Sequence, residues 1–291
     1  MSEKLSAALG MFDGLHIGHR KVIETAVNNP LGLVPAVVSF KQHPRQLLQN
    51  TSPELLMDLE TKKALLAQLG VKRLILLDFK DIKNLSPTEF LTFLINKYNI
   101  SMLVCGYNFR FGRKASGCAD DLYVFGSKNS IPIEVVPAVK MGSHAVSSTL
   151  IRKLIKSGEI EKANAMLGRN FSFSSPVLDG DGRGRILGFP TINQNLPENF
   201  VVPKLGVYVT ITHANGKALP SVTNIGFKPT FGSNHMTSET FIMDFDGDLY
   251  GKWVKIELIA YLREERKFQN IADLTAQIEL DITAAKNFFK A

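Results

Sequence analysis

Two histidines three residues apart, His16 and His19, close the string Gly10-Met11-Phe12-Asp13-Gly14-Leu15-His16-Ile17-Gly18-His19, which follows an apolar run and precedes a helical pattern. That spacing puts both rings on one face of a first helical turn. The helix N-terminus adds free N–H groups and the positive end of a dipole. Gly14 can relax the backbone at the turn, and Gly18 leaves room for a ligand to approach. Together these make a seat for a polyphosphate. Zinc is the alternative chemistry, but no third ligand stands nearby in the sequence. A bare pair of histidines at a helix start is more often polar surface, so the weight rests on the whole string at a strand-to-helix junction.

A second set of residues lies beyond the middle of the chain, in Gly180-Asp181-Gly182-Arg183-Gly184-Arg185-Ile186-Leu187-Gly188-Phe189-Pro190-Thr191-Ile192-Asn193. No register of it gives a dinucleotide fingerprint, and no Gly-Lys-Ser/Thr makes it a Walker loop. Close-set glycines let backbone N–H groups approach a phosphate. Thr191 and Asn193 offer hard oxygen ligands of the kind Mg²⁺ accepts beside phosphate oxygens. The bland alternative is a flexible Gly/Arg turn. Farther on, Glu239 by itself reads as a solvated strand end. Asp244, Asp246 and Asp248 have metal-like spacing, but Gly247 among them favours a hairpin turn. Ser147-Ser148-Thr149-Leu150-Ile151-Arg152 combines hydroxyls that can cap a helix with a planar cation suited to phosphate.

These groups must be held by elements. Up to about residue 170, apolar runs suited to buried parallel strands (5–12, 33–40, 73–78, 102–106 and 131–138) alternate with helical patterns. One of these, opening at Ser86-Pro87-Thr88-Glu89, carries a capping box. Such alternation predicts an open parallel sheet with helices on both faces, its ligands beyond the carboxyl ends of the strands. Two helical patterns, 148–156 and 160–167, close this half. Short strands then dominate (172–178, 206–213, 218–225, 239–245 and 253–261), with an Asn215-Gly216 hairpin signal and a last helix over about 271–289. The expectation is an α/β domain over 1–170 and a mainly β barrel or sandwich with a terminal helix over 171–291.

Composition narrows the classes. The chain has 291 residues, 45% hydrophobic and 21% charged, which excludes a disordered or fibrous protein. No apolar stretch suits a membrane helix, and the N-terminus is too short in apolar residues and too acidic for a signal peptide. Two cysteines, Cys105 and Cys118, cannot build a disulfide framework or a four-ligand zinc site, so a reducing cytoplasm is the simplest home. Residues 1–171 hold 22 Lys and Arg against 14 Asp and Glu, a balance of +8, whereas 172–291 hold 12 against 13, a balance of −1. The basic half can attract nucleic acid, an acidic surface or small phosphorylated ligands, and charge alone does not choose among them. A nucleic-acid reading needs a basic stripe or a binding motif, and the sequence has neither.

The ten-residue histidine string resembles the His-x-Gly-His signature of nucleotidylyltransferases, and in its full form the adenylyltransferase half of the bifunctional bacterial riboflavin kinase/FAD synthetase family. Phe40-Lys41-Gln42-His43-Pro44, Gly106-Tyr107-Asn108-Phe109-Arg110-Phe111-Gly112 and the Ser147–Arg152 string match that family in order. The 180–193 string resembles its flavokinase motif, departing at Ile192 where Ala is usual. Segments 206–208, 224–230, 239–241, 248–251 and 263–268 continue the likeness over essentially the whole chain.

The resemblance implies two reactions with ATP: riboflavin to FMN, then FMN to FAD. It assigns His16, His19 and Arg152 to charge stabilisation in adenylyl transfer. Gly10, Phe12, Asp13, Gly14, Gly18, Ser147, Ser148 and Thr149 would bind its nucleotide, and His43, Pro44, Asn108, Phe109 and Phe111 the flavin. In the kinase half it assigns Gly180, Gly182, Arg183 and Gly184 to nucleotide, Thr191 and Asn193 to Mg²⁺, and Glu239 to the general base. Retention of one activity alone, or a non-catalytic flavin sensor, are the competing readings. The expected partners are small molecules, with no nucleic acid and no membrane; oligomeric state stays open.

Overall fold

The computed structural model describes residues 3–41, 54–180, 182–230 and 233–290. By internal packing the chain divides into two compact units, Met1–Ser148 and Thr149–Ala291.

The first unit is built on a five-stranded sheet of β1 (Leu5–Leu9), β2 (Val34–Phe40), β3 (Arg73–Leu77), β4 (Ile100–Gly106) and β5 (Ile133–Val136). The strand order is β3-β2-β1-β4-β5 and every pairing is parallel. All five residues of β1 are buried, as a central parallel strand covered on both faces requires. Alternation along the strands sorts the core into two layers. Leu5, Ala7, Leu9, Val38, Leu103 and Cys105 share one cluster with Phe90, Leu91 and Leu94 of α4 (Pro87–Tyr98) and Leu122 and Phe125 of α5 (Ala119–Asn129). Ala8, Val37, Met102 and Val104 share the other with Val22, Ile23 and Ala26 of α1 (Ile17–Val27) and Leu66 of α2 (Leu59–Gln68). A one-turn α3 (Phe79–Ile82) joins β3 to α4.

Ser86 caps α4 as expected: its hydroxyl accepts from Glu89 N at 3.3 Å, and the Glu89 carboxylate accepts from Ser86 N at 2.7 Å. Because the chain runs β1 to β3 in one direction and returns to place β4 beside β1, the order reverses at β1. The carboxyl ends of β1 and β4, at Gly10 and Gly106, therefore bound the crevice where such sheets take ligands. A two-residue pair, β6 (Lys140–Met141) with β7 (His144–Ala145), was not anticipated from the sequence.

α6 (Ser148–Ser157) starts on the last residue of the first unit and continues into the second, where α7 (Ile160–Leu167) follows. A six-stranded antiparallel sheet follows, with β8 (Phe171–Pro176), β9 (Thr191–Asn195), β10 (Gly206–Ala214), β11 (Lys217–Thr230), β12 (Ser233–Ile242) and β13 (Trp253–Arg263) in the order β8-β13-β10-β11-β12-β9. Its edges curl towards each other: Leu178, just past β8, bridges Asn193 on β9, and Gln194 Nε2 donates to Ser175 O at 2.6 Å. The expected barrel is thus a curled antiparallel sheet joined by a single bridge. Asn215 and Gly216 turn the β10–β11 hairpin with φ of 49° and 76°, both in the left-handed region that such two-residue turns need.

One face of this sheet carries a buried hydroxyl ladder, Thr212–Ser221–Thr210–Thr223–Thr240. The other carries Val207, Val209, Val222 and Phe241, packed against Ile282 and Ala285 of α9 (Ile271–Lys290). Asp281 of α9 is buried and receives three hydrogen bonds of 2.7–3.1 Å from Arg263, plus one of 3.0 Å from Gln277. That pairing anchors the helix to the end of β13.

Candidate active sites

In the first unit, the loop between β1 and α1 departs sharply from ordinary backbone. Gly14 has φ +82°, as its turn role predicts, but Phe12 and Leu15 also have φ of 50° and 42°. Bulky residues hold such angles only where packing over-determines them, and such strain concentrates at functional sites. Both side chains are fully buried here. Gly10 makes that possible, since a Cβ there would lie 3.0 Å from the Phe12 ring. Gly18 likewise leaves room for a ring: a Cβ would lie 3.2 Å from His16. Its smallness thus serves His16 directly, where the sequence suggested an approaching ligand.

His16 is the N-cap of α1. Its Nδ1 accepts from His19 N at 3.2 Å, so in the neutral ring the proton sits on Nε2. The His16 and His19 rings stack with centroids 3.6 Å apart, and Phe12 meets His19 edge-on at 5.3 Å. His19 Nδ1 is buried without a hydrogen-bond partner among the described residues. Burial, reinforced by the neighbouring His16 and then by Lys62, holds the His19 pKa well below the usual histidine value. His19 is thus held neutral with a buried ring nitrogen unfilled, a position a phosphate oxygen can occupy by accepting an N–H.

Three elements hold this loop. Asp13 is buried and its Oδ1 accepts from Leu56 N at 3.1 Å. Ser148, first residue of α6, donates its hydroxyl to Asp13 O at 2.8 Å. Ser39 at the end of β2 and Lys62 of α2 both donate to Met11 O, at 3.1 and 3.0 Å. Lys62 was not anticipated: beside Lys63 near the start of α2 it reads as a solvated surface charge. Thr149 and Arg152 fall within the second compact unit, Arg152 one helical turn beyond Ser148 on α6.

Of the residues expected at the flavin, His43 and Pro44 lie outside the described residues. Asn108 is exposed at the end of β4. Phe109 is half-buried and stacks on Phe111, centroids 5.6 Å apart. Phe111 itself belongs to the core cluster beneath α4. Of the three aromatic and amide residues expected at the flavin here, Asn108 and Phe109 retain open surface and Phe111 does not.

In the second unit, Thr191 and Asn193 stand on a strand, β9, which was not among the strands expected from the sequence. The register then brings together what the sequence left apart. Asn193 is the direct cross-strand partner of Glu239, and Glu239 is the direct partner of Asn224 on β11. Thr191 lies two residues from Asn193, hence on the same face, opposite Phe241. The row is Asn193–Glu239–Asn224, on the face that α9 covers farther along.

The row extends to Glu265, whose Oε1 accepts from Asn224 Nδ2 at 3.1 Å. Gly226 admits that carboxylate, since a Cβ there would lie 2.2 Å from Glu265 Oε1. Asn224 Oδ1 is buried with no partner among the described residues. Asn224 and Glu265 sat in sequence segments to which no role was given; only the register identifies them.

The glycine string wraps these ligands. A Cβ at Gly180 would lie 2.2 Å from Asn193 Nδ2, and one at Gly184 would lie 2.4 Å from Phe189 O and 3.3 Å from Thr191 Oγ1. Gly182 differs: it has φ +68° and open space around it. A one-turn helix, α8 (Arg183–Ile186), interrupts what reads in the sequence as a continuous loop. Two neutral oxygen-bearing side chains two residues apart, with a carboxylate beside them, fit a hard cation that takes its remaining ligands from phosphate and water. Asp244, Asp246 and Asp248 lie in the connection between β12 and β13, two strands that do not pair, so the expected hairpin turn is not formed; among the described residues no cluster of three His, Cys, Asp or Glu suits a metal ion.

Two family models match the chain, FAD synthetase over residues 1–150 and riboflavin kinase over residues 167–289. The bifunctional riboflavin kinase/FMN adenylyltransferase of Bacillus subtilis is 36% identical, the match covering 97% of this chain and 92% of that protein. That of Escherichia coli is 31% identical, over 97% of this chain and 91% of that protein. A crystal structure titled a macrolide-efflux protein, from Streptococcus pneumoniae, superposes with a TM-score of 0.91 at 28% identity, covering 99% of this chain and 95% of that one. Its title names a transport activity, whereas no helix among the described residues of this chain is long and apolar enough to cross a membrane. With both halves matched in order and relatives aligned over nearly their full length, this chain belongs to the bifunctional riboflavin kinase/FMN adenylyltransferase family.

Proposed function

We propose that the chain is a bifunctional flavin-cofactor synthase, with riboflavin phosphorylation carried by the Asn193–Glu239–Asn224 row and adenylylation of FMN by the His16–His19 loop. The direct pairing of Asn193 with Glu239 carries the kinase assignment. The unpartnered His19 Nδ1 supports the adenylyltransferase assignment.

In the kinase reaction Glu239 takes the proton from the terminal ribityl hydroxyl of riboflavin. The freed oxygen attacks the ATP γ-phosphorus, and ADP leaves. Thr191 and Asn193 would hold Mg²⁺ together with phosphate oxygens, where the ion neutralises charge on the transferring group. Gly180, Gly182, Arg183 and Gly184 lie where backbone groups can line the nucleotide phosphates.

In the second reaction a phosphate oxygen of FMN attacks the α-phosphorus of another ATP, and pyrophosphate leaves. No protein nucleophile is needed; positioning and charge stabilisation suffice. His16 and His19 donate to the phosphates, and the family resemblance gives Arg152 the same charge-stabilising role. Gly10, Phe12, Asp13, Gly14, Gly18, Ser147, Ser148 and Thr149 shape the nucleotide seat. Asn108 and Phe109 would contact the flavin, with Phe111 stacked on Phe109, and the resemblance adds His43 and Pro44 to that role.

The functional boundary falls near residue 170, after Gly168 ends α7. A reducing cytoplasm suits the two free cysteines: burial pushes the Cys105 thiol up to about 12, so it is inert. The test is incubation of purified protein with riboflavin, ATP and Mg²⁺ and separation of the flavins. FMN followed by FAD is expected; unchanged riboflavin refutes the kinase, and FMN accumulating without FAD refutes the adenylyltransferase.

A further inference from the structure

We propose that Lys62 is a phosphate-binding residue of the adenylyl-transfer site, donating its ammonium protons to a phosphate of one of the two reactants; this rests on the adenylyltransferase reading above. A lysine on a surface helix normally extends its charge into water. Lys63, its neighbour, does so and pairs with Glu60. Lys62 is drawn the other way, with Nζ on Met11 O at 3.0 Å, inside the loop that leads to His16 and His19. That carbonyl already accepts from Ser39. Among the described residues it is the only hydrogen-bond acceptor of an ammonium that carries three protons.

A neutral carbonyl is weak compensation for withdrawing a cation from water. Burial accordingly lowers the Lys62 pKa, opposed by the charge of Asp13. Lys62 is also close enough for its charge to suppress protonation of His19. Two groups from different helices, Lys62 of α2 and His19 of α1, thus converge on one loop with donor capacity unfilled. Phosphate oxygens are acceptors able to fill both.

The reaction supplies the need. FMN phosphate and ATP are both polyanions; the new P–O bond to the α-phosphorus forms as the α–β bridging bond breaks, and the leaving pyrophosphate takes up the charge. A cation fixed beside the histidine pair reduces the repulsion between reactants and stabilises that charge. Phosphate is the chemistry recognised, and it can come from the ATP chain or from FMN.

Lys62→Met and Lys62→Arg in the full chain test this. With Lys62→Met, FMN formation from riboflavin is expected to stay within about twofold of wild type, while FAD formation from supplied FMN falls about 100-fold, the scale of losing one preorganised donor. Lys62→Arg is expected to restore most of it. A KM that rises for ATP but not FMN assigns the contact to the ATP chain, and the converse assigns it to FMN. Lys62→Met with FAD synthesis at the wild-type rate overturns the proposal, as does loss in both variants with KM unchanged for both substrates, which marks a structural role. Independently of folding, pyrophosphate or FMN should slow acylation of Lys62 in the wild-type protein and leave Lys63 unaffected; protection by neither overturns it. Wild-type protein that makes FMN but no FAD would instead sink the adenylyltransferase reading itself, and this assignment with it.

Discussion

Replacing Gly180 by alanine adds one methyl group, and the structure says where it goes. The new Cβ would stand 2.2 Å from Asn193 Nδ2 and 2.7 Å from Asn193 Cγ. Ordinary contact begins near 3.4 Å, so the Asn193 amide must retreat by about 1.2 Å or the glycine string must lift off β9. Either movement displaces a proposed metal ligand that is the direct neighbour of Glu239. A misplacement of about 1 Å costs on the order of 100-fold in rate. Gly180→Ala is therefore expected to lower riboflavin kinase kcat by roughly that factor, while FAD formation from supplied FMN stays at the wild-type level. Gly188→Ala is the control. It has open space and only its φ of +82° to accommodate, so its effect is confined to about 1 kcal/mol of backbone strain. Initial rates of FMN formation at saturating ATP, with the flavins separated, measure both. A Gly180→Ala enzyme within threefold of wild type would refute the claim that Asn193 is held by this contact.

Glu239→Gln keeps shape and removes the proton acceptor; FMN formation should drop by about 100-fold or more with the riboflavin KM little changed, while FAD synthesis from FMN persists. Asp281→Ala leaves the half-buried Arg263 without its carboxylate, which should destabilise the second unit by about 3 kcal/mol, read as a lowered first-derivative melting peak. His19 gives a pH dependence. Its folded pKa lies below the unfolded value, so the unfolded chain binds the extra proton; the stability it contributes is complete above about pH 6.5 and is lost as pH falls further, by at most about 1.4 kcal/mol per unit. The melting temperature of the first unit should fall on acidification from pH 7 to 5. His19→Asn should flatten that slope, and an unchanged slope would contradict the burial argument.

The elements that local pattern alone can specify were legible. The five parallel strands follow from continuous apolar runs, α4 from its capping box and the β10–β11 turn from Asn-Gly, because each signal is carried by residues adjacent in the chain. β9 was missed because Thr191–Asn195 is polar and pairs only with strands far away in sequence, so nothing local marks it as a strand. The His16–His19 pair was visible because its spacing is a property of one helical turn.

What the sequence by itself determined is the inventory: two halves of different texture, two strings able to hold phosphates, and a charge excess confined to the first half. Tertiary structure decided which of those residues meet. Asn193, Asn224 and Glu239 come from three strands, and their alignment depends on a register that a slip of one residue would send to the opposite face. Lys62 and His19 come from two helices on one face of a sheet, and only that packing turns a surface lysine inwards. Chemistry at one point in space needs groups from several elements, and the distances between elements are set by packing, which no single stretch of chain records.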